Sequence, residues 1–235
     1  SRGIGAATAR LLATKGYAVC VNFRTESAFA DQVVADIEAA GGRALAGQAD
    51  VALAEDVARL FETVDTSLGV LDLLVNNAAI MSPRQRVDQI PIEEIERVLQ
   101  VNVIGLIACA QQAVRRMSTH DGGKGGCIVN VSSGAAQQGN PNRGVPYAVS
   151  KGAVNSFSTG LSQEVAAEGI RVNTVSPGPI RTDMPGEEAL ARAAQVVPMG
   201  RAGEPEEIAE AIAWLASDEA GFVAGANLRV AGGRI

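Results

Sequence analysis

Short apolar runs alternate with helical patterns along this chain of 235 residues, and this alternation constrains the fold more than any other feature. Apolar, largely β-branched runs occupy residues 17–23, 71–75, 126–133 and 169–175, and further strand-like segments lie at 43–49 and 227–230. Near-continuous apolar strands are typical of parallel sheets that helices cover on both faces. Strands that alternate with helices imply right-handed crossovers and three layers. The sequence therefore predicts one α/β domain over residues 1–235, with a doubly wound parallel sheet.

Tyr147 and Lys151 lie four residues apart in a small, apolar, helix-like stretch, so both side chains are expected on one helix face. A free phenol titrates at about pH 10. One cation about 4 Å away contributes about 4 kcal/mol at an effective dielectric constant near 20, enough to lower that pKa by about 3. The pair predicts a proton donor or acceptor that works near neutral pH. An incidental pair on a helix surface is the alternative.

Ser133 stands at the end of the apolar run over residues 126–133, just before Gly134. Open α/β sheets hold their ligands at the carboxyl ends of the strands. Ser133 is therefore expected close to Tyr147.

Together with the opening Ser1-Arg2-Gly3-Ile4-Gly5, these motifs resemble the short-chain dehydrogenase/reductase family, over essentially the whole chain. The resemblance implies a Rossmann-like fold and an NADP-dependent oxidoreductase that transfers a hydride between the nicotinamide and a carbonyl or secondary alcohol. It implies catalytic roles for four residues: Asn102, Ser133, Tyr147 and Lys151. Tyr147 would be the general acid/base, Ser133 would bind the substrate oxygen, Lys151 would lower the phenol pKa and hold the ribose, and the Asn102 backbone would hold a water of the proton relay.

The resemblance also implies a cofactor site, drawn from the glycine-rich loop and from the ends of several strands. Its predicted members are Arg2, Gly3, Ile4, Gly5, Arg24, Asp50, Val51, Asn77, Ala78, Tyr147, Lys151, Pro177, Gly178, Ile180 and Thr182. Asp50 could equally cap the helix that follows it. Ala79 replaces the usual glycine of the Asn-Asn-Ala-Gly turn, which would add strain if that position requires a positive φ.

The end of the run over residues 17–23 bears on the choice between NAD and NADP. Folds that prefer NAD place an acid there to bind the ribose 2′-hydroxyl, whereas an arginine accommodates a 2′-phosphate. Arg24 follows this run, with no acid before Glu26, and Arg2 lies beside the phosphate loop. Two guanidinium groups favour NADP. The alternative is that Arg24 is a solvated loop residue.

In the family, a central strand and a Thr-Gly pair precede the glycine-rich loop, so we expect that the sequence given lacks its natural N-terminus. The segment over residues 183–197 matches the variable substrate lid and is shorter than the family leads us to expect.

Composition argues against several classes of function. A net charge of −6 disfavours nucleic acid as a partner. The chain contains no uninterrupted apolar run of about 18 residues, so no membrane span is predicted. Cys20, Cys109 and Cys127 lie far apart in apolar stretches, which favours reduced thiols and a cytoplasmic location. His120 is the sole histidine and is expected in an exposed loop, so a metal site is not predicted.

Several alternatives stay open. A small-molecule carbonyl or alcohol is the expected substrate, but a 3-ketoacyl carrier-protein reductase, docking through Arg115 and Arg116, or a sugar dehydrogenase would carry the same motifs. A regulator that binds NADP without turnover is the alternative of another class. The family usually forms homotetramers or homodimers through its long helices, and suitable apolar or small residues are Val101, Val103, Ile107, Ala108, Val154 and Phe157.

Overall fold

The computed structural model describes residues 1–182, 191–193 and 195–234, so most of the predicted lid lies outside the described residues. The strands are β1 (Ala18–Phe23), β2 (Arg43–Gln48), β3 (Leu73–Asn76), β4 (Gly126–Val131), β5 (Ile170–Pro177) and β6 (Asn227–Val230). The helices are α1 (Gly3–Thr14), α2 (Ser27–Ala39), α3 (Ala54–Ser67), α4 (Ile92–Leu99), α5 (Leu106–Met117), α6 (Ala135–Gln138), α7 (Val145–Val165) and α8 (Pro205–Ala216). The strand bounds fall close to the predicted ones.

All strand pairings between these elements are parallel, as the sequence predicts. β1 pairs with β2, and β3, β4, β5 and β6 pair in that order. The strands thus form two hydrogen-bonded groups, and the division between them lies between β1 and β3, where a doubly wound sheet has a central strand. The edges of β1 and β3 both line one large cavity there.

The core has the three layers expected for this class of fold. Successive β4 side chains face opposite layers, because side chains alternate along a strand. Ile128 packs with Phe61 and Met117 of α3 and α5, whereas Val129 packs with Ile212 of α8. A third cluster joins β1 to α1 and α2. Both faces of the sheet are therefore covered, which explains the apolar runs.

The helical stretch Ile92–Met117 is continuous but changes its winding. Between α4 and α5, Gln100–Gly105 forms a π-helical turn. The stretch has 26 residues and is long and apolar enough to span a membrane, although the sequence analysis predicted no span. In the fold, 44% of its apolar 18-residue segment is buried. Val98, Ala110 and Met117 have no exposed surface. This stretch therefore packs into the core, and Asn102 lies in its π-helical turn.

Candidate active site

The first turn of α7 positions Tyr147. Gly144, with a φ of +112°, precedes the helix, and Pro146 occupies its first turn. The helix start is capped from elsewhere in the chain, because the buried Ser82 hydroxyl accepts a hydrogen bond from the Tyr147 backbone N–H at 3.4 Å. A methyl group at Gly144 would approach the Ser82 Oγ to 2.5 Å. The loop after β3 thus fixes where α7 begins.

Lys151 lies one turn further along α7 and is almost completely buried, with 2% of its surface exposed. Its Nζ donates to the Val131 carbonyl at the end of β4 over 2.8 Å, and the Ser132 hydroxyl donates to the Lys151 carbonyl over 3.0 Å. Burial lowers the pKa of the Lys151 ammonium to about 8. These bonds tie α7 to the carboxyl end of β4.

The Tyr147 phenol differs from its predicted state. Burial raises its pKa, and a hydrogen bond with the Ser133 side chain opposes that rise. The Lys151 Nζ lies 5.8 Å from the centre of the Tyr147 ring and bonds to a backbone carbonyl. The prediction that Lys151 lowers the phenol pKa is therefore wrong for this structure, because desolvation disfavours the phenolate. The contact between Ser133 and Tyr147 is confirmed.

Asn102 has no exposed surface and joins two elements through its side chain. Its Oδ1 accepts from the Ile80 backbone N–H at 2.8 Å, and its Nδ2 donates to the Ile80 carbonyl at 2.9 Å and to the Ser150 Oγ at 3.0 Å. The Ser150 hydroxyl in turn donates to the Tyr147 carbonyl at 2.7 Å. Asn102 therefore binds the loop after β3 to the turn of α7 that carries Tyr147.

A second buried set of polar groups supports the same region. Asn76 Nδ2 at the end of β3 donates to Asn130 Oδ1 of β4 at 2.9 Å, and Asn130 Nδ2 donates to the Ser158 hydroxyl of α7 at 2.9 Å. The sequence analysis did not single out Asn130, Ser158, Ser82 or Ser150. An asparagine inside an otherwise apolar strand, as at Asn130, was the available signal, because a buried amide must find partners.

One cavity joins nearly all the predicted site residues. It runs along the carboxyl ends of the strands and continues between β1 and β3. Ser133 and all fifteen predicted cofactor-site residues, Tyr147 and Lys151 included, line it. Among the described residues, Asn102 is the one predicted site residue outside the lining. The sequence motifs therefore converge on the lining of a single cavity.

The glycine-rich loop forms one wall of this cavity and leads into α1. Gly3 has a φ of +48°, and a methyl group there would approach the Thr182 Cγ2 to 2.9 Å; at Gly5 it would approach the Asn77 Nδ2 to 2.8 Å. The first turn of α1 holds no acidic residue and has no side-chain cap. Free N–H groups at a helix N-terminus bind anions such as phosphate. The residues present therefore fit a pyrophosphate group.

The two predicted phosphate-binding arginines are exposed at the rim beside α1 and α2. The Arg2 guanidinium lies over the Phe29 ring of α2, 5.2 Å from its centre. Arg24 follows β1, and its carbonyl accepts from the Gln48 side chain at 3.2 Å. Within the described part of the chain, neither guanidinium forms an ion pair with a carboxylate. Both cations are available to an anionic group in the cavity.

Asp50 does not cap α3, one of its two predicted roles, because the N-terminus of that helix, at Leu53, has no side-chain cap. Its Oδ1 instead accepts from the Ala52 backbone N–H in the preceding turn at 3.0 Å, and the Asp56 carboxylate accepts from the Asp50 backbone N–H at 2.9 Å. Asp50 and Val51 line the cavity, where the other predicted role, a contact with an adenine, stays a prediction. Asn140 and Asn142 are the described non-glycine residues with positive φ, so the Ala79 backbone carries no such strain.

Comparison with known proteins agrees with this geometry. A family model described as Enoyl-(Acyl carrier protein) reductase matches residues 1–234. The Escherichia coli protein called uncharacterized oxidoreductase YgfF is 46% identical over 100% of this chain and 96% of its own length. A 3-oxoacyl-[acyl-carrier-protein] reductase from Synechocystis is 38% identical over 100% of this chain and 94% of its own.

A solved structure gives the same result for the fold. A short chain dehydrogenase from Burkholderia cenocepacia, in complex with NADP, superposes with a TM-score of 0.90 at 34% identity, covering 99% of this chain and 93% of the other. With its parallel sheet, its glycine-rich loop and its paired tyrosine and lysine, the chain belongs to the short-chain dehydrogenase/reductase family of oxidoreductases, which act on CH–OH groups with a nicotinamide cofactor.

Proposed function

We propose that this protein catalyses NADP(H)-dependent hydride transfer between the nicotinamide and a small carbonyl or secondary alcohol, with Tyr147 as the general acid/base. One observation carries the proposal. Tyr147, Ser133 and Lys151 line the same cavity as Arg2, the glycine-rich loop and Arg24.

In the reducing direction, the phenol of Tyr147 donates its proton to the carbonyl oxygen of the substrate. Its raised pKa keeps the phenol protonated at neutral pH, which suits a proton donor. The Ser133 hydroxyl stabilises the negative charge that develops on the same oxygen. The bound nicotinamide supplies the hydride.

Lys151 and Asn102 complete the proposed machinery. The Lys151 ammonium, held at the end of β4, is placed to bind the nicotinamide ribose beside Tyr147. Asn102 acts as a positioning residue through Ile80 and Ser150, and its backbone in the π-helical turn is proposed to hold the relay water.

NADP is the proposed cofactor, in preference to NAD. Arg2 and Arg24 place two guanidinium groups, free of ion pairs within the described residues, at the rim near the start of α2. Arginine binds phosphate through two parallel N–H donors, which fits a ribose 2′-phosphate. The other thirteen predicted cofactor-site residues are proposed to contact the rest of the dinucleotide.

A free small molecule is the proposed substrate, although one relative is named as a reductase of a carrier-linked substrate. Arg116, one of the two arginines considered for carrier docking, is already bound within the fold. Its guanidinium pairs with the Asp65 carboxylate at 2.8 Å and lies over the Phe61 ring at 5.2 Å. These two contacts leave less unpaired positive charge on the surface for an acidic carrier protein to bind.

Assembly through the long helices is also a proposal, as is a cytoplasmic location. Val101 and Val154 are buried within the subunit and cannot contribute to an interface. The sequence analysis missed Ile104 and Val149, which are 50% and 56% exposed. Val149→Glu should shift a homodimer or homotetramer to smaller species in light scattering, and an unchanged mass would contradict assembly through α7.

The proposed activity is tested with a panel of neutral ketones, aldehydes and their alcohols, following NADPH or NADH by absorbance. We expect turnover of at least one carbonyl, with kcat/KM for NADPH above that for NADH. Equal kcat/KM values would contradict the cofactor assignment. NADPH binding without turnover of any substrate would favour a cofactor-binding regulator.

A further inference from the structure

Two arginines line the Tyr147 end of the cavity, and the proposed dinucleotide site does not use them. Arg84 lies in the loop after β3, and Arg143 precedes α7. Both line the cavity that contains Tyr147 and Ser133. The proposed 2′-phosphate site at the other end already has Arg2 and Arg24.

Arg143 is held by an ordered loop with an unusual backbone. Asn140 and Asn142, which both precede it, have φ values of +51° and +57°, and Gly144, which follows it, has +112°. The Arg143 N–H donates to the Asn140 carbonyl at 3.0 Å, and the Asn140 side-chain amide donates to the Arg143 carbonyl at 3.4 Å. Left-handed non-glycine residues cluster at functional sites, where the surrounding structure keeps them. The loop therefore fixes the Arg143 backbone and leaves its guanidinium to the cavity.

The Arg84 backbone is held near Tyr147 because Ser82, two residues earlier, is bonded to α7. The buried Ser82 hydroxyl bonds to the Tyr147 backbone N–H, and Arg84 lies two residues further along the chain. Two residues of extended chain span about 7 Å at most. The Arg84 backbone is thus confined to the neighbourhood of Tyr147.

The charges near these two arginines are unbalanced. Arg86, in the same loop as Arg84, pairs with Asp88 at 2.9 Å. In the described ranges, neither Arg84 nor Arg143 has such a carboxylate partner. The described acids that line the cavity, Glu26, Asp50 and Asp72, belong to the segments around β1, β2 and β3 and not to the loops that carry Arg84 and Arg143.

We infer that the substrate carries an anionic group, a carboxylate or a phosphate, which Arg84 and Arg143 bind while the carbonyl faces Tyr147. The inference rests on the proposed function and names the substrate class for that same site. Arginine is suited to this role because its planar fork of N–H donors matches the oxygens of both anions. Arg84 and Arg143 are therefore specificity-determining residues.

The test measures binding by calorimetry to the enzyme saturated with NADP⁺, so that the 2′-phosphate site is filled. Cyclohexanecarboxylate is compared with cyclohexanecarboxamide, and phenyl phosphate with phenol. For at least one pair, the anion should bind about tenfold more tightly than its neutral partner. The pair with the larger preference identifies the carboxylate or the phosphate as the recognised group.

Substitutions then assign the preference to residues. Arg84→Gln and Arg143→Gln should each reduce the anion-to-neutral affinity ratio about threefold, because exposed charge contacts contribute modestly. The double variant should bring the ratio close to one. Arg86→Gln is the matched control, from the same loop but paired with Asp88 and outside the cavity lining, and it should leave the ratio unchanged.

Three results would overturn the inference: the absence of anion preference in the wild type, including no binding of any probe; an unchanged ratio in both single variants; or an equal loss in Arg86→Gln. These failures are distinguishable from failure of the proposed function. If neutral carbonyls are reduced with NADPH but anions have no advantage, the inference alone fails. If NADPH is not consumed with any carbonyl, the proposed function fails.

Discussion

The two ends of the cavity are built in opposite ways. At the Tyr147 end, Lys151, Ser150 and Asn102 are buried and connected by hydrogen bonds of 2.7 to 3.0 Å to α7, β4 and the loop after β3. At the nucleotide end, Arg2 and Arg24 are exposed, and within the described chain their guanidinium groups form no ion pair.

This difference indicates which groups need to be held before a ligand arrives. Proton donation requires a fixed geometry, since small displacements of a reacting group lower the rate strongly. Phosphate binding, by contrast, works with solvated arginine side chains, because the phosphate oxygens accept the hydrogen bonds that hold the guanidinium groups in place. Substitutions of the buried Asn102, Ser150 and Lys151 should therefore alter turnover or stability, and those of the exposed Arg2 and Arg24 should alter cofactor affinity.

Tyr147→Phe should have the largest effect. It removes the proton donor and keeps the ring, so kcat should fall at least about 100-fold, the lower range for general acid catalysis. NADPH affinity, measured by fluorescence titration, should stay within about twofold. Retention of more than a few percent of turnover would refute the role of Tyr147.

Asn102→Ala should come second, because it leaves the Ile80 N–H and carbonyl and the Ser150 hydroxyl without this partner. We expect a loss of about 3 kcal/mol in the free energy of unfolding, or roughly 6–12 °C in Tm for a protein of this size. Thermal unfolding by circular dichroism measures it. Gln100→Ala, which removes one exposed hydrogen bond to the Ala52 carbonyl, is the control and should cost about 0.5 kcal/mol or less. Equal losses of stability in the two variants would contradict the conclusion that Asn102 belongs to a buried network of hydrogen bonds.

Arg24→Gln should have a smaller and more selective effect. We expect kcat/KM for NADPH to fall about tenfold, equivalent to about 1.4 kcal/mol, with little change for NADH. Arg2→Gln should act in the same direction, and steady-state kinetics with both cofactors would measure each. Arg10→Gln, whose guanidinium pairs with Asp36 outside the cavity lining, is the matched control. An equal loss of kcat/KM with NADPH and with NADH would show that Arg24 does not bind the 2′-phosphate.

Ser82→Ala should give the smallest change. It removes the acceptor at 3.4 Å from the first turn of α7, so we expect a loss of about 0.5–1 kcal/mol in stability and a few-fold loss in kcat. Urea unfolding and initial rates are the two measurements. A stability loss with unchanged kcat would show that Ser82 caps the helix without positioning Tyr147.

The sequence predicted more of the fold than of the hydrogen bonding at the site. The strand at Asn227–Val230, for example, was predicted from its short run of residues. Motifs also predicted which residues line the cavity, because strand ends meet at one edge of a parallel sheet.

The pKa of Tyr147 was predicted wrongly because helical spacing predicts that Tyr147 and Lys151 share one helix face. It does not predict which acceptor the Lys151 ammonium donates to. The Val131 carbonyl, from a strand about 20 residues away in sequence, competes for the ammonium. Likewise, the partners of Asn102 and Ser82 come from distant segments, and local patterns carry no information about them. Contacts of this kind follow from tertiary packing.

The most direct test of the central claim follows the hydrogen itself. NADPH carrying deuterium at C4, on either face in separate samples, is oxidised with a ketone that the enzyme reduces, and the alcohol is examined by mass spectrometry. The account predicts that one of the two samples gives an alcohol with deuterium on the former carbonyl carbon, and that Tyr147→Phe slows this transfer at least about 100-fold. An alcohol without deuterium in both samples would contradict hydride transfer at this site.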